Sequence, residues 1–177
     1  MTKRGKQILA EDRDIEWRPG ESVHVLDITS ALRPTEEDVV FDKNNHAYIG
    51  VRVADTIDVE DGGRAVDSNG GENEEGIMGQ FVDWVDYSGL VDDHTVGLTL
   101  MPHPRNFRRC WYHARDYGFL TANPFGRNAL TGGAKSKVIV KAGDPFRLRY
   151  GVLIHSAANR DNPIDFQAAY LDYIRIS

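Results

Sequence analysis

Between Ser22 and His155 the apolar residues come in short runs that alternate with polar ones, and no segment there keeps helical spacing. Side chains on a strand point to opposite faces with a period of two, so this patterning commits the chain to half-buried strands. Val23, Val25 and Ile28 against His24 and Asp27 give one strand; Val39–Phe41 and 47–53 give two more, separated by the turn-forming Asp42-Lys43-Asn44-Asn45. A polar excursion over residues 61–76 carries a short strand near Ala65-Val66. Residues 79–87 and 95–101 add two strands, the second entered through an Asp92-Asp93-His94 turn, and residues 102–134 read as loop-rich. Ser136–Lys141 and Phe146–His155 read as a hairpin turned by Ala142-Gly143-Asp144-Pro145.

Helical spacing arrives only at the end. Phe166, Tyr170, Tyr173 and Ile174 recur with it, Asn162 is placed as an N-cap, Pro163 suits a first helical position, and Asp165 favours the positive helix end. The expected architecture is all-β: an antiparallel β-sandwich, in one form part of a mutarotase-like supersandwich, with one C-terminal helix. Residues 1–19 read as a loose lead-in or edge strand, and 20–177 as a single domain. At 177 residues the chain can bury about 70% of its unfolded surface as one core. It holds no apolar run near the roughly 20 residues of a membrane span, and its N-terminus has no apolar stretch of a secretory signal as it stands. The single cysteine, Cys110, rules out an internal disulfide and fits a reducing, cytoplasmic setting.

The net charge of −6 hides an asymmetry: residues 53–93 hold 12 acidic side chains against one basic, and residues 94–151 hold 10 basic against two acidic. Two readings follow, solvated faces that partly neutralise one another, or a basic cleft for an anionic ligand. The acidic chain and the lack of a recognition motif argue against nucleic acid. The region from Trp84 to Phe125 concentrates aromatic rings with planar polar groups, the mixture that covers a pyranose face and bonds its hydroxyls, and also the mixture at ordinary sheet ends. His103 and His113 have the ordinary imidazole affinity near pH 6.5 that suits acid–base work. No close histidine spacing marks a metal site, although His46, His155 and Asp86 could complete one. Arg52, inside an apolar strand, faces solvent or binds a carboxylate or hydroxyl. Cys110 reads as inert.

Ordered motifs carry a family resemblance: Phe81-Val-Asp-Trp-Val-Asp-Tyr-Ser-Gly89, Thr95-Val-Gly97, His103-Pro104-x-Asn106, Trp111-Tyr-His113-x-Arg115-Asp-Tyr-Gly118 and Ala122-Asn-Pro-Phe-Gly126. Leu26-Asp27-Ile28, Gly50-Val-Arg52-Val and Arg149-Tyr150-x-Val152-x-Ile154-His155 extend it over about residues 20–177. Together they resemble the bacterial family labelled methane oxygenase PmoA. The resemblance implies a β-sandwich with a carbohydrate-related role, sugar binding or an acid–base step such as epimerisation or elimination, with no cofactor. It departs at Pro102 and at Arg108-Arg109-Cys110, and a His-His-Arg-Gly type segment is missing, so the chain reads as the C-terminal part of such a protein. On this reading His103 and His113 move protons and Asp86 orients or accepts. Arg52, Trp84, Asn106, Arg115, Asp116, Tyr117 and Asn123 hold a small saccharide. The rival readings are a non-catalytic binding or assembly module, which would form a homo-oligomer, and the metal-dependent oxygenase of the family label.

Overall fold

A computed structural model describes residues 5–46, 48–157 and 164–176. Its largest element is a six-stranded antiparallel sheet in the order β1-β2-β11-β7-β6-β5. The strands are β1 (Leu9–Arg18), β2 (Val23–Pro34), β5 (Arg64–Asp67), β6 (Val85–Val91), β7 (His94–Pro102) and β11 (Phe146–Ala157). A three-stranded antiparallel sheet, β4 (Ile49–Arg52), β9 (Phe119–Asn123) and β8 (Trp111–Arg115), faces it, and β3 (Val39–Phe41) pairs with β10 (Val138–Val140) at one end. The chain is therefore an antiparallel β-sandwich with one C-terminal helix, as its patterning predicts.

The period-two pattern sets the layers. Leu100, Leu148, Tyr150, Val152, Val85 and Tyr87 of the large sheet meet Tyr112, Ala114, Leu120 and Ala122 of the small one in the main core. The alternate residues Trp84, Met101 and Leu153 point the other way, where α3 (Phe166–Ile176) lays Tyr170 and Tyr173 on them. The order of layers is thus small sheet, large sheet, helix. Tyr112 ties the first two, its hydroxyl donating to the Leu100 carbonyl at 2.7 Å. Phe41, Phe107, Phe125 and Phe146, with neighbouring ring centroids 5.0–5.6 Å apart, stopper the sandwich beside β3.

Local chemistry explains the connections. Asp92 and Asp93 both take positive φ, 46° and 65°, as a two-residue turn must to match strand twist, and they join β6 to β7. Gly118 (φ 87°) makes the tight β8–β9 return. Asp165 Oδ1 accepts the Ala168 N–H at 2.8 Å and so caps α3. The caps expected at Asn162 and Pro163 lie outside the described residues.

Of the two readings of the N-terminal segment the edge strand is the one the structure takes: residues 9–18 pair with β2 across ten positions and form the edge of the large sheet. Two other expectations change. The 136–141 and 146–155 segments form no hairpin, because β10 pairs with β3 while β11 lies between β2 and β7. The turn expected at Asp42–Asn45 carries the chain from β3 in one sheet to β4 in another. Two five-residue helices, α1 (Asn73–Ile77) and α2 (Arg127–Thr131), join α3; both are too short to show periodicity.

Candidate functional site

The proposed catalytic residues lie on opposite outer faces of the sandwich. Asp86 sits on the helix side of the large sheet, buried beneath α3. Its Oδ1 accepts from the Thr99 hydroxyl and stands 2.8 Å from His155 Nε2, and its Oδ2 accepts from the Ser88 hydroxyl at 2.9 Å. His103 is on that same face but four residues beyond Thr99, the strand partner of Asp86, which is about 13 Å along the sheet. His113 belongs to the small sheet and points away from the main core, which the inward Tyr112 and Ala114 enter from the same strand. No single substrate can touch all three.

Each histidine is also locked. His113 Nε2 accepts from Arg115 Nε at 3.0 Å, so the proton is on Nδ1, which faces the Asn45 carbonyl at 3.0 Å. Burial first, and then the Arg115 charge, lower its proton affinity below the usual imidazole value, against the opposing Asn45 bond. His103 Nδ1 accepts the Arg105 N–H at 3.0 Å, and burial with the charges of Arg149 and Arg105 lowers its affinity too.

The expected saccharide-binding residues scatter. Trp84 is covered by α3, its indole N–H donating to Gln167 at 3.1 Å. Asn106 replaces a strand neighbour for Arg149, exchanging both backbone bonds with it at 2.8 and 2.9 Å. Asn123 is buried, bonding the Asn44 carbonyl and the Phe125 N–H. Arg115 pairs with Glu74, and Asp116 accepts the Glu74 N–H at 2.8 Å, so both anchor α1. Tyr117 is exposed under the guanidinium of Arg52, 5.1 Å from its ring centroid. Arg115–Glu74 and Arg109–Asp83 also pair the basic stretch with the acidic one, as the neutralising reading expects. Among the described residues, no three His, Cys, Asp or Glu side chains gather as a metal site.

A different place is built for a ligand. The small sheet is half as wide as the large one, so the inner face of β1 and the Leu26–Ile28 part of β2 are only partly covered, while Ser30 and Leu32 further along β2 are buried. The resulting groove, about 370 Å³, has Ile15, Leu26, Ile28 and Val152 for a floor and Tyr48 and Tyr150 in its wall, their rings stacked 6.1 Å apart. Ion-pair and hydroxyl chemistry occupies one end. Glu11 accepts from the Ser30 hydroxyl and from Arg13 at 2.6 Å, and the Tyr48 hydroxyl stands 2.6 Å from Ser30 Oγ and 3.0 Å from Glu11. The Ser30 bond, then Arg13 and Tyr48, lower the Glu11 affinity for a proton against its partial burial, so it is a carboxylate acceptor held in place. Trp17 follows on the same face of β1, half exposed and stacked on His24 at 4.9 Å. Another depression, of about 320 Å³ between Lys6 and Val39, has no aromatic ring in its wall.

Sequence reading assigned no ligand role to these residues, since 1–19 read as a loose lead-in or an edge strand with no core or site of its own. The signal was there: Glu11, Arg13, Ile15 and Trp17 alternate with Asp12, Asp14 and Glu16, one face of a strand.

A family described as a family of unknown function (DUF6807) matches residues 1–168, and so takes in β1 and its groove face. The chain belongs to this family. No curated protein and no solved structure matches it. Among its described residues no helix is long and apolar enough to cross a membrane.

Proposed function

We propose that this member of the family is a saccharide-binding β-sandwich, with the sugar held in the groove between β1–β2 and β4. One observation carries the reading: an open apolar floor is walled by the stacked Tyr48–Tyr150 pair, with Arg13, held by Glu11, at its end and Trp17, stacked on His24, further along the same face of β1. A sugar offers apolar C–H faces and vicinal hydroxyls. Rings cover the first, while Glu11 accepts from the second and Arg13 donates to it. The resemblance to the PmoA-labelled family supports the carbohydrate assignment. The separation of Asp86, His103 and His113 favours binding over an acid–base reaction. A cytoplasmic location belongs to the same reading and rests on the lone cysteine.

Titration of the protein with a panel of neutral mono- and oligosaccharides, followed by tryptophan fluorescence and calorimetry, tests this. Saturable binding that W17A and E11Q each weaken by about tenfold or more is the expected result. No binding at millimolar sugar, or binding indifferent to both variants, overturns it.

The edge favours one further reading, an assembly module. Among the described residues no strand pairs with the outer edge of β1, and Ile15 is 60% exposed beside it. Light scattering decides: a dimer that I15K returns to monomer supports assembly, and a monomer at high concentration rejects it.

A further inference from the structure

Polar and apolar groups are unevenly spread along the groove. Glu11, Arg13, Ile15 and Trp17 share one face of β1, and the six residues from Glu11 to Trp17 span about 20 Å, the length of roughly four β-1,4-linked sugar rings. At one end the Ser30 and Tyr48 hydroxyls and the Nε and Nη2 of Arg13 all bond Glu11 Oε1, so Oε2 is left to accept from a ligand hydroxyl. At the other end stands the Trp17–His24 stack. Between them Ile15, Leu26, Ile28, Val51 and Val152 present no hydrogen-bonding side chain. A hydroxyl turned down onto this floor would lose water and gain no partner. The partners are at the rims. Val53 donates its N–H to the Gly118 carbonyl at 3.0 Å, which continues the β4–β9 register. Val51 therefore bonds β9, and Gly50, next to it in the groove wall, turns its own N–H and C=O toward the open edge of β4. On the opposite rim Ile15 is exposed, so water reaches a ligand from the β1 side.

We infer that the sugar of the proposed reading, on which this step rests, is a linear β-1,4-linked chain of gluco or xylo configuration, about four rings long. In such a chain every hydroxyl and every linkage is equatorial. The chain is a flat ribbon, with bare C–H faces above and below and hydroxyls along its two edges. One face can lie on the aliphatic floor with nothing polar buried. One edge then meets the Gly50 backbone, the other meets water past Ile15, and the two ends reach Glu11 Oε2 and the Trp17 ring. A manno ring places its axial 2-hydroxyl on a face, against the floor. An α-1,4 chain curves, so that the next ring lifts away before it reaches Trp17. The groove thus selects by the shape of the chain, and Trp17 counts the rings.

The test is calorimetric titration with cellobiose, cellotetraose, cellohexaose, xylotetraose, mannotetraose, maltotetraose and octyl glucoside, the last below its micelle concentration. Cellotetraose and xylotetraose are expected to bind about tenfold or more tighter than cellobiose, mannotetraose and maltotetraose, with cellohexaose within about twofold of cellotetraose. W17A should bring cellotetraose down to the affinity of cellobiose while leaving cellobiose nearly unchanged, and W17F should restore part of the difference. E11Q should weaken both. Trp17 is half exposed, and thermal melts confirm that its variants are folded. Equal binding of cellobiose and cellotetraose, equal binding of maltotetraose, or a gain with length that survives in W17A overturns the inference and leaves the groove a sugar site. Octyl glucoside binding more tightly than cellotetraose gives the floor to a hydrocarbon and overturns it too. Binding of no sugar at all, or indifference to E11Q, removes the underlying reading and the inference with it.

Discussion

Arg149 and Asp27 join the second and eleventh strands side by side, the guanidinium donating through both Nε and Nη2 to the two oxygens of one carboxylate. Asp27 is 4% exposed and shares its Oδ2 with Arg18, so one buried acid holds two cations, of which Arg18 has Glu16 as a second, exposed partner. Replacing it with alanine leaves both guanidinium groups facing a desolvated gap. D27A is expected to lose about 2–3 kcal/mol of stability, with water around Arg18 and Arg149 softening the full buried-pair penalty. Urea unfolding measures it; a loss below the roughly 0.5 kcal/mol of an ordinary surface change refutes the linchpin role.

Acid should weaken the fold through its locked histidines. His103 and His113 bind protons less readily when folded than the usual value of 6.5, mainly through burial. Below that pH the unfolded chain takes up protons that the folded chain refuses, so stability is fully present above it and falls as pH drops. Urea midpoints at pH 7, 6 and 5 should decline, and H113N should flatten part of that slope. A midpoint that rises toward pH 5 contradicts the sign.

The helix tests its own packing through Gly151. A Cβ there would stand 3.0 Å from both Met101 Cε and a Tyr173 ring carbon. G151A should therefore lift α3 at its C-terminal end and cost about 1–3 kcal/mol. Thermal unfolding gives the cost, and faster hydrogen exchange in residues 170–176 locates it; no change in either places Tyr173 elsewhere.

Cys110 is fully buried and its thiol is pushed up to about 12 by that burial. It should ignore a thiol reagent at pH 8 in the native protein and react only as the whole domain unfolds. Labelling in stages of urea checks this; fast labelling in native buffer would contradict the burial.

Strand patterning was legible because each sheet face is chemically uniform: Leu98 and Leu100 inward and Thr99 outward on β7 announce themselves. The terminal helix was equally legible from its spacing. What period two cannot encode is which strand lies beside which, so the 136–155 segment passed for a hairpin although its halves belong to different sheets. The candidate site failed for a related reason. Asp86, His103 and His113 are close in sequence, but distance along one sheet face separates Asp86 from His103 and a change of sheet sends His113 to the opposite surface. Asn106 and Asn123 carry the polar groups of a binding residue, yet spend them on backbone. Trp17 and Glu11 take their place at the groove from the register with β2 and, for Glu11, from Tyr48, 37 residues along the chain.

The unequal widths of the two sheets separate recognition from durability. Glu11, Arg13, Ile15 and Trp17 rest on neighbours from one side only, and the main core closes without them. Substitution along that strand can therefore alter what the groove accepts at small cost to folding, whereas the same change at Tyr87 or Leu100 would be felt throughout. A sandwich with one bare flank can diversify its ligands as freely as a loop does, while keeping the rigidity of a strand.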